Sequence, residues 1–228
     1  MEAAFPLVLF AGIAAIVAVL VLGYLGKQRR RQRFALIARQ LGLSYAPEDP
    51  FGLLGWPFVL FTRGDGQGIE NVVWGEWQGV SLHAFDFWFY DETTDANGHR
   101  SRSYTRFDCA VANIDAACPS MTLDRENLLT RIADALALKD IQFESDEFNR
   151  AFNVKSSDPA FANAFVDARM MTWLLSADRG YAFEVVGNRM LVAGPRVDPL
   201  SLVPLLGTLK AFRDQVPRVV FSLYPESG

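Results

Sequence analysis

The order of hydrophobic and polar positions splits the chain near residue 26. Residues 5–25 contain no charge and are dominated by leucine, valine and isoleucine. At about 1.5 Å per residue this stretch makes a rod of about 31 Å, the thickness of a bilayer's hydrocarbon core, so it reads as a membrane-spanning helix. A helical period continues beyond it, with Phe34, Ile37, Ala38 and Leu41 on one face and Gly42 placed as a stop.

Residues 57–115 change to the alternation and turn punctuation of antiparallel strands. Strands are expected at 57–62, 71–77, 80–90 and 103–114, with a flexible turn over the glycine-rich run 64–68 and a tight reversal at Gln78-Gly79. A polar loop over 93–102 is centred on Asn97-Gly98, and a short strand follows at 121–123. Leu128, Leu129, Ile132 and Leu136 predict an amphipathic helix over 126–138. Short strands at 141–144 and 152–155 flank a helical turn.

Asp158-Pro159 and Asp198-Pro199 each set an acidic cap before a proline at a first helical position, where the missing N–H is harmless. They predict helices to about residues 177 and 215. Between these helices a hairpin is expected across Gly187-Asn188, from 181–186 to 189–193, and residues 225–228 read as a frayed tail. The fold class predicted is α+β: a transmembrane anchor and basic collar over residues 1–33, then one domain over 34–228 in which an antiparallel β meander packs with helices.

Charge gives the anchor a direction. Lys27, Arg29, Arg30, Arg31 and Arg33 follow the apolar run directly. Of 22 Lys and Arg and 26 Asp and Glu in the chain, these five and Glu2 precede residue 34, which leaves 17 against 25 and a net −8 on the domain. An acidic domain is a poor nucleic-acid binder, and that class is excluded. By the positive-inside rule the collar stays in the cytoplasm, so the expected placement is a single pass of the cell membrane with the N-terminus outside and the C-terminal domain cytoplasmic. A cleaved signal peptide is the rival reading. It would want a positive start, a shorter apolar stretch and a small-residue cleavage site, and the sequence has none of these. The collar residues are also the candidate contacts to lipid headgroups.

Candidate chemistry is sparse. The sequence lacks the phosphate-loop, dinucleotide, zinc-protease, C-x-x-C and nucleophile-elbow motifs, and no cofactor or metal site is expected. Its two cysteines, Cys109 and Cys118, read as small apolar residues kept reduced in the cytosol, and would pair only in an oxidising space. His83 falls on the same side of its strand as Phe85, Phe87 and Phe89, with Asp86 on the other, so the two do not form a dyad. His99 and the acidic group Asp91, Glu92 and Asp95 belong to the polar loop. Glu144, Asp146 and Glu147 make the densest carboxylate cluster, at a turn.

The aromatic run Phe85-Asp-Phe-Trp-Phe-Tyr90, preceded by Trp74 and Trp77, puts large rings on both faces of a strand. Such a strand is buried on both sides or offers one face to an apolar partner. Trp74, Trp77, Trp88 and Tyr90 are the candidate contact residues.

At 144–165 the text ESDEFNRAFNVKSSDPAFANAF resembles a family of uncharacterised, single-pass membrane-anchored bacterial proteins, in which E-S-x-x-F-N-x-x-F-x-V precedes an Asp-led helix. The matching positions are Glu144, Ser145, Phe148, Asn149, Phe152, Val154 and Asp158. Gly75-Glu-Trp-Gln-Gly79 followed by Ala84-Phe-Asp-Phe87 is similar to the family's strand–turn–strand segment, so the likeness spans most of 34–218. It implies architecture and membrane attachment, with no activity or site.

The function expected is a membrane-tethered cytoplasmic binding module without catalytic chemistry, its partners the lipid bilayer and a protein or lipid at the inner leaflet. One alternative is a membrane-bound hydrolase using carboxylates such as Asp86, Glu144 or Glu147. Another is a structural component of a cell-envelope complex.

Overall fold

The computed structural model describes residues 4–125, 138–177 and 180–226. The helix expected over 126–138 lies, but for its last residue, outside the described residues. The first element, α1, is one uninterrupted helix, Ala4–Leu41, about 57 Å long at 1.5 Å per residue. It contains a segment long and apolar enough to cross a membrane, and Ile16, Val19, Leu20 and Leu22 on that segment are more than 60 % exposed. The same helix enters the domain without a break, and Phe34, Ile37 and Ala38 are buried. Gly42, at φ +71°, ends it, and Leu43 N–H returns to Ala38 O at 2.8 Å to close the last turn.

The domain is an α+β fold built on a seven-stranded antiparallel sheet. Its strands are β1 (Ser44–Glu48), β2 (Gly66–Trp77), β3 (Val80–Thr94), β4 (Arg100–Asp124), β5 (Lys139–Ile141), β6 (Asn153–Ser156) and β7 (Ala182–Pro195). The order is β1-β2-β3-β4-β6-β5, and β7 also pairs with β4, whose 25 residues are the spine of the sheet. The short helices α2 (Asp146–Ala151), α3 (Pro159–Phe165), α4 (Ala168–Ser176), α5 (Leu202–Asp214) and α6 (Arg218–Leu223) complete it.

Two cores divide the faces. The larger joins Phe34 and Ile37 of α1 to Leu82, Ala84 and Ala110 of the sheet and to Phe161, Phe165, Leu206 and Phe212 of the helices. The smaller is rich in phenylalanine, with Phe85, Phe87, Phe89 and Phe107 beneath Leu53, Phe58, Leu60 and Phe61.

Several expected elements take another form. Residues 57–62 are a 3₁₀ turn, Val59–Thr62, and not a strand. The backbone N–H groups of Val59 and Leu60 donate to the buried carboxylate of Glu184, so the turn needs no ladder partner and can lay Phe58, Leu60 and Phe61 on the sheet.

The glycine run 64–68 is a turn only at its start, because Gly66 and Gly68 belong to β2 opposite Tyr90 and Trp88. A Cβ on Gly68 would sit 2.5 Å from the Trp88 ring and one on Gly66 2.6 Å from the Tyr90 ring, so glycine makes room for aromatic side chains there. The fourth strand and the short strand at 121–123 are one strand, β4, carried through two register slips around Cys118.

The hairpin expected at Gly187-Asn188 does not form. Both halves lie in β7 and pair with β4, and Gly187, at φ +57°, is a bulge opposite Cys118. The helix expected from Pro159 to residue 177 breaks after Phe165, where Asp167 caps α4 by accepting from Met170 N–H at 2.8 Å. The C-terminal end is tied down through residue 226: Ala117 N–H donates to Tyr224 O, Ala116 bridges to Pro225, and Asn188 Nδ2 reaches Glu226.

Candidate membrane-proximal site

Alternation along β2, β3 and β4 sorts their side chains into rows on the face opposite the phenylalanine core. One row across the three strands is Glu70, Asp86 and Asp108, the next Gly68, Trp88 and Arg106, and the next Gly66, Tyr90 and Tyr104. Strand propensity alone would not put two aspartates side by side in a buried sheet, where both are under 7 % exposed.

Arg30 of α1 resolves the conflict. Its Nε and Nη2 donate to the two Asp86 oxygens at 2.7 and 2.6 Å, Nη2 also reaches Asp108 Oδ1 at 2.6 Å, and Nη1 donates to Val197 O at 2.6 Å. The guanidinium lies over the Phe34 ring, 5.0 Å from its centroid. Asn71, held at φ +56° by a bulge in β2, donates to Asp86 Oδ2 at 2.8 Å, and Val197 N–H donates to Asp108 Oδ2 at 2.8 Å. Burial, and after it the hydrogen bond and charge of Asp86, push the Asp108 carboxyl above the usual carboxylate range. The fork thus binds an acidic pair whose charges oppose each other, and it fastens the anchor helix to two neighbouring strands.

Further out the helix is held more lightly. Lys27 pairs with Glu70 at 2.7 Å, with half of the Lys27 side chain exposed, and Arg33 pairs with Asp198. Between the helix and the sheet lies a cavity of about 660 Å³, reached by Gly23, Gly26, Lys27 and Arg30 from α1, Glu70 and Asn71 from β2, Arg106 from β4, and Arg196-Val197 beyond β7. Arg196 stands 3.7 Å from Asp86. A smaller hollow on the other side of Arg30 is bordered by Arg29, Arg33 and Asp198.

The sequence-predicted contact residues separate. Trp74 is half-buried against the phenylalanine core, with its ring edge-on to Phe51, and Trp77 is half-buried against the larger core. Trp88 and Tyr90 stack at 6.4 Å and 16° on the open face, joined by Tyr104 with Arg102 and Arg106 over the rings. Of the collar, Lys27 and Arg30 line the main cavity, Arg29 and Arg33 the hollow beside it. Arg31 lines neither.

The carboxylates of the hydrolase reading do not converge. Asp86 is occupied by Arg30 and Asn71, while Glu144 and Glu147 are exposed beside and on α2 and border neither the cavity nor the hollow. His83 packs edge-on against Phe51 and Trp56, and burial lowers its pKa. Cys109 and Cys118 are buried free thiols nine residues apart on one strand, about 30 Å at 3.3 Å per residue, so they cannot pair with each other. Among the described residues no cluster of His, Cys, Asp or Glu could hold a metal ion.

Sequence reasoning missed Asp108, Tyr104, Arg106 and Arg196 as parts of one site. A signal was present in Asp86, an acid inside an apolar, aromatic strand segment with no lysine or arginine nearby in sequence, which requires a distant partner.

No protein-family model matches the chain, and no curated sequence matches it. The fold is similar to that of the mycobacterial trehalose monomycolate transport factor A, TtfA, whose crystal structure superposes with a TM-score of 0.58 at 20 % identity over 89 % of this chain and 98 % of that one. At that identity the likeness establishes a shared fold.

Proposed function

We propose that the chain is a membrane-tethered, non-catalytic interaction module, a component of a cell-envelope assembly that handles lipid, with its domain held against the cytoplasmic leaflet. The observation that carries this reading is the continuity of α1. A helix that leaves the bilayer and runs unbroken into a core, locked there by Arg30 on Asp86 and Asp108, presents one chosen face of the domain to the membrane. A flexible linker would only raise local concentration.

The collar supports the cytoplasmic placement. The fold shared with a transport factor for trehalose monomycolate supports the lipid-handling role. The element at 144–158 supports grouping with the uncharacterised membrane-anchored bacterial family: Ser145 caps α2, Asn149 closes its entry loop by bonding Phe143 N and O, Phe148 stacks on Phe152, and Asp158 caps α3. The motif thereby does architectural work. Within the module, Trp88 and Tyr90 with Tyr104 are the contact surface, and Trp74 and Trp77 support it from the cores.

Protease treatment of sealed vesicles tests the placement. The domain is expected to be digested in inverted vesicles and protected in right-side-out ones; the opposite pattern removes the reading. Glu144→Gln and Glu147→Gln are expected to complement a deletion strain fully, whereas loss of complementation would revive the hydrolase.

A further inference from the structure

The cavity beside the anchor has a position, a charge and a shape that together define a ligand. Its position follows from register: Arg30 lies over the Asp86–Asp108 row, while Gly23 and Gly26, one to two helical turns earlier, share the cavity with Arg106 of the next row. Helix and strands therefore run side by side toward the bilayer, and the cavity opens where the apolar stretch, with exposed Leu22 and Leu25, gives way to Lys27.

Its charge is an excess of cation. Lys27, Arg30, Arg106 and Arg196 face Glu70, Asp86 and Asp108, which is four positive against three negative groups. Arg30 is fully engaged by the two aspartates. Arg106 lies over the Tyr104 ring, and Arg196 stands 3.7 Å from an acid that Arg30 already binds, so these two carry the charge left over. Its shape is open on the helix side, where a side chain added at Gly23 or Gly26 would meet nothing within 4 Å. On the sheet side Arg106, which lines the cavity, lies over the ring of Tyr104, and Tyr104 in turn adjoins the stacked pair Trp88 and Tyr90, residue types that settle at the membrane–water interface.

We propose that this cavity receives the phosphate of an anionic phospholipid from the leaflet at which the anchor emerges, with Arg106 and Arg196 as its ligands and the Trp88–Tyr90–Tyr104 rings against the glycerol and upper acyl region. The site rests on reading α1 as a membrane span, and it does not depend on which side of the membrane the domain occupies. Arg30 is a positioning residue, holding the helix at the distance that forms the cavity. A phosphodiester with one charge matches the surplus, and the two guanidinium forks suit its oxygens.

The test is native mass spectrometry of the full-length protein released from nanodiscs of phosphatidylglycerol and phosphatidylcholine. Preferential retention of phosphatidylglycerol is expected. The double variant R106Q/R196Q should lower that preference roughly tenfold or more, since each cation near a lipid surface contributes on the order of a fivefold effect. Gly26→Leu, which fills the cavity without touching charge or the Arg30 contacts, should lower it as well, and both variants should keep the wild-type thermal midpoint. Equal retention of the two lipids, or a preference unchanged in either variant, overturns the proposal. Displacement by inorganic phosphate as effective as by short-chain phosphatidylglycerol overturns it too, and assigns the cavity to a soluble anion. A domain found outside the cell would overturn the cytoplasmic placement while leaving the lipid measurement to stand or fall by itself.

Discussion

Strand β3 carries large rings on both faces, and the two faces have opposite fates. Phe85, Phe87 and Phe89 are at most 3 % exposed, sealed under a 3₁₀ turn that Glu184 pins in place. Trp88 and Tyr90, one residue away on the pleat, stay half-exposed, stacked on each other with Arg102 over the Tyr90 ring. Hydrophobicity does not separate the two sets. The separation comes from what each face meets: a dry lid of turns on one side, arginines and the basic end of the long N-terminal helix on the other. An aromatic row is thus core or contact surface according to its neighbours, and the presence of polar tips on Trp and Tyr, absent from Phe, is the chemical mark of the wetter side.

The largest effects should come from breaking each face at its centre. Phe87→Ala is expected to cost about 3–5 kcal/mol of domain stability by opening a cavity in the phenylalanine core. Arg30→Ala is expected to cost a similar 3–5 kcal/mol, because it strands two buried carboxylates. Chemical denaturation in detergent measures both, and the comparison sharpens in one respect: only Arg30→Ala should also loosen the helix from the sheet.

A smaller effect is expected from Gly68→Ala. Its new Cβ would stand 2.5 Å from the Trp88 ring, so the ring must move, at about 1–3 kcal/mol, and Trp88 fluorescence should shift while the phenylalanine face is untouched.

The lid of the closed face should respond to pH. Burial raises the Glu184 carboxyl from its ordinary 4.5 to about 8, against the two backbone N–H groups that favour its charged form. The folded state therefore binds the proton more tightly than the unfolded chain. That contribution is complete below pH 4.5 and is lost as pH rises toward about 8. Stability of the wild type should fall over this window, and Glu184→Gln should flatten the profile; an unchanged slope in the variant would place the titration elsewhere. Smallest of all, Trp88→Ala is expected to change stability by under about 1 kcal/mol, as a half-exposed ring whose loss mainly removes contact surface.

The long apolar N-terminal helix and the α+β class were legible because they rest on local signals: an uncharged run of bilayer length, alternation, and Asp-Pro caps. The site was legible only in halves. The collar arginines and the aromatic strand were both visible as candidates, yet nothing in the spacing of Arg30, Asp86 and Asp108 joins residues separated by 56 and 78 positions. The misread glycines share one cause. Gly66, Gly68 and Gly187 look like turn residues because they lack side chains, and each serves instead within a strand, two by yielding space to a ring and one as a bulge. Likewise residues 57–62 have strand composition, but the carboxylate of Glu184, more than 120 positions away, supplies the acceptors that a neighbouring strand would have provided.

The central claim is that the anchor and the sheet form one rigid unit, so that the domain meets the bilayer with a fixed face. Spin-label distances between Leu20→Cys on the apolar helix and Ser81→Cys on β3, in the full-length protein in nanodiscs, test it most directly; Cys109 and Cys118 are buried. A single narrow distance distribution that broadens in the Arg30→Ala background is the predicted result. A broad distribution in the wild type would mean that the helix swings free of the sheet, and the account would be wrong.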